Sequence, residues 1–218
     1  MNSQTALYAL HERIWHWLQA AGMTCLILTG MAIHYPDRFG IFGSMASAVR
    51  WHSWIGFALI ANAFLGIFYH LTAEKYHHFL PRMDDFTGAA IRQARFYFYG
   101  IFKGETHPLD TDPRHKLNSL QKITYLLLLN ILLPFQIVTG ILMWGADRWP
   151  GTFARMGGLW VLAPAHTLGS YLFLAFLIGH IYLSTTGPTP FSLLRAMITG
   201  YHVEEEKAQY EVVQQETE

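Results

Sequence analysis

With 218 residues the chain has the length of a single domain. Its residues are 52% hydrophobic and only 14% charged, against roughly 25% charged in a soluble domain. Fifteen Lys and Arg balance fifteen Asp and Glu, so the basic surface of a nucleic-acid binder is excluded.

Taken in chain order, four runs supply the roughly 20 apolar residues that a bilayer demands: residues 14–34, 51–71, 121–145 and 160–185. Once the ends are trimmed, none holds an Asp, Glu, Lys or Arg. None shows the polar stripe of a soluble helix either. The expected fold class is an all-α membrane protein, a four-transmembrane-helix bundle, with residues 1–202 as one domain. The first run has no small-residue cleavage pattern and is read as a span, not as a removed signal peptide. Cys25, the single cysteine, lies mid-span and reads as a packing residue. No C-x-x-C-H occurs, which excludes covalent haem attachment of that kind.

The two short connections hold Arg38, Arg50, Arg148 and Arg155, and the remaining Lys and Arg fall on the opposite side. The positive-inside rule then places both termini in the cytoplasm. In the long middle connection, "DDFTGAAIRQARFYFYGIF" (84–102) reads as an amphipathic interfacial helix. Phe86, Ala90, Ala94, Phe98 and Ile101 are at helical spacing, and Arg92 and Arg95 are turned away. "TPFSLLRAMITGYH" (189–202) repeats the pattern. The tail, 203–218, has six Glu against one Lys and is expected to be disordered. Trp15, Trp17, Trp51, Trp54, Trp144, Trp149 and Trp160 lie near the span ends, as an aromatic belt does.

Ionisable residues inside spans are costly and mark function. His166 and His180 are fourteen residues apart, about 40° short of four turns and separated by about 21 Å of rise. They share a face and lie at opposite depths. His16 opens the first span and matches His180 in depth; His52 opens the second and matches His166. Two imidazoles facing each other across a helical bundle make a six-coordinate haem site, so two haem b groups are expected. Gly30 and Gly66 follow His16 and His52 by fourteen residues. They could make room for a flat macrocycle, or serve helix packing. His70 lies five turns beyond His52, about 6 Å too deep for the frame, and reads as a propionate or quinone neighbour. "LILTGMAIH" and "QIVTGILMW" each place Thr-Gly near the outer end of a span, an echo read as a shared packing need. A haem-free proton channel or transporter is the main alternative, although the spans offer it no carboxylates. A passive membrane anchor is the other.

These residues resemble the di-haem cytochrome b subunits of membrane-bound formate dehydrogenase, thiosulfate reductase and, more distantly, hydrogenase. The likeness runs over about residues 10–200. It rests on "RIWHWL", "RWHSWIGFA", "NSLQK" leading into "VTGILMW", and "AHTLG" with "LIGHIY". The resemblance implies His16, His52, His166 and His180 as axial ligands of two b haems. It also implies a quinone site near the cytoplasmic haem, with Asn118, Gln121 and Lys122 as polar contacts. Leu120 departs from the small residue usual there. The chain would pass electrons between a periplasmic-side partner and menaquinone or ubiquinone in a bacterial inner membrane. That partner would be an iron–sulfur, molybdopterin, hydrogenase or multihaem cytochrome subunit. The chain carries no Walker loop, zinc motif or nucleophile elbow of its own.

Overall fold

All four apolar runs are helical in the computed structural model, which describes residues 4–6, 8–72, 88–105, 119–187 and 189–203. The elements in chain order begin with a short strand β1 (Gln4–Ala6), α1 (Leu10–His34), α2 (Met45–Thr72) and α3 (Ala90–Phe98). They continue with α4 (Ser119–Leu127), α5 (Leu133–Trp144), α6 (Pro150–Arg155), α7 (Gly158–Ser184), α8 (Ser192–Thr199) and β2 (Tyr201–Val203). The spans are α1, most of α2, α4 running on into α5, and α7, each 25 to 27 residues long. At 1.5 Å per residue they reach about 38–40 Å, beyond the roughly 30 Å of hydrocarbon. This is why the helices start a few residues before the apolar runs do.

Two of the spans are irregular for a stated reason. Between α4 and α5 the helix widens into a π turn at Leu128–Leu132. Pro134 follows; it has no N–H, and its ring would press on the carbonyl four residues back. The wider turn carries the chain past that clash. Helix α7 takes Pro164 into its interior, which removes one backbone donor two residues before His166.

The contacts divide the chain into two units. One is Met1–Phe68 with Ser170–Glu218, and the other is Tyr69–Gly169. In the first, α1 and α2 meet where glycines leave room. Gly22 faces Leu59, and a Cβ built on the buried Gly66 would come within 2.5 Å of the Trp15 indole. Polar groups tie the same helices together. Trp15 Nε1 donates to the Asn62 carbonyl at 2.8 Å, and Asn62 Nδ2 donates to Gln19 Oε1 at 2.8 Å. Helix α8 is fastened to the start of α1 by Arg13, whose guanidinium donates to the Ile198 carbonyl. Trp17 Nε1 adds a bond to the Met197 carbonyl at 3.2 Å. Gly200 ends α8 with φ 90°, a conformation only glycine adopts freely. The chain then pairs β2 antiparallel with β1, Gln4 opposite Val203 and Thr5 opposite His202. This ribbon has no counterpart in the sequence reading.

In the second unit, α3 packs against α4 and turns Phe98 away from the protein, as expected of an interfacial helix. Gln93, Phe96 and Gly100 are buried, while Phe98 is 83% exposed. The physical reason is a helix end. Gln93 Oε1 accepts the backbone N–H of Leu120 at 2.8 Å, one of the first-turn donors that α4 cannot satisfy itself. That bond draws Gln93 inward, to full burial, and rotates Ile91, Phe98 and the following Phe102 outward. Arg92 and Arg95 stay exposed as expected, and Arg95 pairs with Glu105 at 2.8 Å. Helix α8 likewise buries Ser192 and Ala196 and leaves Phe191 and Ile198 open. Both helices present an apolar face away from the protein, as an interfacial helix does. Residues 84–87 and the acidic tail beyond 203 lie outside the described residues.

Candidate functional site

The structure brings His16 of α1 and His180 of α7 face to face. Their ring centroids are 6.0 Å apart and their planes are tilted by 45°. The rings are held by aromatic packing. His16 meets Trp17 edge-on at 5.3 Å, and His180 stacks on Phe176 at 5.7 Å. The Nδ1 atom of His16 is buried and has no hydrogen-bond partner among the described residues.

His52 and His166 are built differently, and by one repeated device. Thr29 Oγ1 lies 2.8 Å from His52 Nδ1, and Thr139 Oγ1 lies 2.9 Å from His166 Nδ1. Both threonines are almost fully buried, at 1% and 5% exposure. Each is followed by a glycine facing the same ring. A Cβ on Gly30 would stand 3.6 Å from His52 Cε1, and one on Gly140 would stand 3.2 Å from His166 Cε1. The other nitrogen of His166, Nε2, is 3.0 Å from the Gln136 amide nitrogen, which also donates to the His166 carbonyl at 3.2 Å. A metal on Nε2 requires that amide to swing aside.

Gly30 sits against His52. Gly66 sits against Trp15, so in this structure it seats an indole between α1 and α2. Gln121 and Lys122 lie half-buried in the first turn of α4. Asn118 is outside the described residues, and so is the side chain of His70, although its backbone lies in α2. The sequence reading missed Thr29, Thr139, Gly140 and Gln136. The signal available for three of them was the echoed Thr-Gly, read there as packing.

The donor set fits a haem. Imidazole nitrogens are haem-iron ligands. His16 and His180, facing each other from two spans with ring centroids 6.0 Å apart, would be able to hold one haem iron between them. Side-chain hydroxyls on the distal nitrogens of His52 and His166 are the outer partners expected of ligating histidines.

Comparison with known proteins agrees. The family described as prokaryotic cytochrome b561 matches residues 7–200. The chain is 34% identical over 202 residues to the cytochrome named YdhU of Escherichia coli (strain K12), covering 90% of this chain and 74% of that one. It is 22% identical to the protein-methionine-sulfoxide reductase subunit named YedZ1 of Azospira oryzae, over 89% of this chain and 98% of that one. It is 26% identical to a Ni/Fe-hydrogenase B-type cytochrome subunit of Cupriavidus necator, over 90% and 86%. Four apolar spans, half-buried histidines and these matches together make the chain a member of the prokaryotic cytochrome b561 family, a multi-pass bacterial membrane b-type cytochrome of electron transfer.

Proposed function

We propose that the chain is the di-haem b subunit of a respiratory complex, passing electrons between a redox partner on the periplasmic side and the quinone pool. The observation that supports this best is the facing pair His16 and His180, 6.0 Å apart on two spans. They are read as the axial ligands of one haem. His52 and His166, matched in depth by the sequence frame, are read as the ligands of the second. Haem b, when bound, supplies reversible one-electron chemistry, tuned by its ligands and their burial.

The chain's own residues do the rest. The histidines bind and orient, and the apolar spans exclude water. Gln121 and Lys122, on the first turn of α4, are proposed to contact the quinone head group, with Asn118 and His70 as further candidates. The quinone is menaquinone or ubiquinone. The Lys and Arg distribution supports cytoplasmic termini, which puts this quinone site on the cytoplasmic side. The redox partner is a separate iron–sulfur, molybdopterin, hydrogenase or multihaem cytochrome subunit. The relatives named as a reductase subunit and a hydrogenase cytochrome subunit support a partner of this kind.

The test is a dithionite-reduced minus oxidised spectrum of the detergent-purified chain, expressed with haem supplied and quantified per protein. Two b haems per chain is the expected result. One haem would break the second pairing and return His70 to consideration. A folded chain without haem would overturn the reading in favour of a transporter or a passive anchor.

A further inference from the structure

The echoed Thr-Gly carries more than packing. Thr29 Oγ1 lies 2.8 Å from the Cys25 carbonyl and 3.1 Å from that of Leu26. Thr139 Oγ1 lies 2.8 Å from the Phe135 carbonyl and 3.2 Å from that of Gln136. Two oxygens 2.8 Å apart need a proton between them, and a carbonyl brings none. The hydroxyl proton is therefore committed to the helix backbone in both cases. What each threonine offers its histidine is a lone pair. A lone pair facing Nδ1 requires that Nδ1 carry a proton, which in the neutral ring leaves Nε2 unprotonated.

A second observation reaches the same tautomer for His166 by a separate route. The Gln136 amide group that touches the His166 carbonyl must be its NH2, since a carbonyl only accepts. That same nitrogen faces His166 Nε2 at 3.0 Å. Nε2 is then an acceptor, and the proton is on Nδ1.

We propose that Thr29-Gly30 and Thr139-Gly140 are two copies of one histidine seat. The threonine oxygen accepts Nδ1–H and fixes both tautomer and ring rotation. The glycine stands beside the Cε1 edge, and at Gly140 its missing Cβ lets that edge lie closer than a side chain would allow. Each ring thereby keeps Nε2 without a proton, the form a metal ligand requires. Thr29 and Thr139 are positioning residues and touch no cofactor themselves. The seat bears on electron transfer only if the haem reading holds, but the tautomer can be tested without haem.

The experiment has two readouts on the full chain in detergent. In haem-free protein labelled with 15N-histidine, the ring nitrogen shifts of His52 and His166 report Nδ1–H, assigned by His52→Ala and His166→Ala. Thr29→Val and Thr139→Val should each move only their own histidine toward a mixture with Nε2–H, and Thr29→Ser and Thr139→Ser should retain Nδ1–H. Thr29→Ala and Thr139→Ala carry the same expectation as the Val variants, should Val not be accommodated. In haem-loaded protein, the Val variants should retain the haem of that histidine roughly 10-fold less well, and Ser should restore it. The remaining haem should also have a higher midpoint potential, because the ligand has lost the acceptor that made it more basic.

Nε2–H in the parent chain would overturn the seat. So would an unchanged tautomer in the hydroxyl-free variants, or a defect that Ser cannot rescue, which would assign the role to the threonine methyl. A chain showing Nδ1–H and its loss on Thr→Val, yet binding no haem, would uphold the seat and sink the haem reading instead.

Discussion

The two kinds of half-buried span histidine in this protein are held by different forces. His52 and His166 each have a hydroxyl on Nδ1 at 2.8–2.9 Å and a glycine beneath the ring edge. His16 and His180 face each other, braced by Trp17 and Phe176, and the buried Nδ1 of His16 has no hydrogen-bond partner among the described residues. One arrangement fixes a ring by a directional bond, the other by shape. A hydrogen bond specifies which nitrogen carries the proton, while packing specifies only where the ring lies. The Thr-seated histidines should therefore respond to loss of a single oxygen, and the packed pair to changes in volume.

The largest effect is expected from His180→Leu. It removes one half of the facing pair, so haem per chain should fall by one, with loss of quinone-linked electron transfer. Retention of both haems would break the pairing outright. Next is Gly66→Ala. The new methyl would come within 2.5 Å of the Trp15 indole, adjacent in sequence to His16. Overpacking of this kind costs about 1–3 kcal/mol, so thermal unfolding in detergent should shift down, together with the spectrum of the haem held by His16. A smaller contrast separates the two seats. Gly140→Ala puts a methyl 3.2 Å from His166 Cε1 and should perturb that histidine's ring signals. Gly30→Ala leaves an ordinary 3.6 Å contact with His52 and should be silent. Silence at both would mean that the glycines serve helix contacts only. The least effect is expected from Trp15→Phe. It deletes the bond to the Asn62 carbonyl but keeps most of the ring, a loss of roughly 0.6 kcal/mol if it behaves as membrane-buried hydrogen bonds usually do.

The spans were legible because a bilayer leaves few options. About 20 apolar residues without charge must become a helix that satisfies its own backbone. The histidine frame was legible for a related reason, since a fourteen-residue spacing returns to nearly the same helix face. What stayed hidden depended on a partner helix. Gly66 is at the right offset from His52 to flank a macrocycle, yet its neighbour is Trp15, and the helical repeat of α2 says nothing about α1. Thr29 and Thr139 were opaque because a threonine in an apolar helix ordinarily bonds its own backbone. These two do so and still have a lone pair to offer. The burial of Gln93 in α3 was hidden for the same reason: it answers an N–H at the start of α4, on another helix.

The ribbon between Gln4–Ala6 and Tyr201–Val203 has a bearing on biogenesis. Its first strand precedes α1, and its second follows α7 and α8. The pairing can close only after every intervening span has been threaded, and only if an even number of them has crossed. A chain stalled after three spans, or one with a span inverted, would leave residues 4–6 without their partner. The paired strands thus tie the segment before the first of these spans to the segment after the fourth, on one side of the membrane.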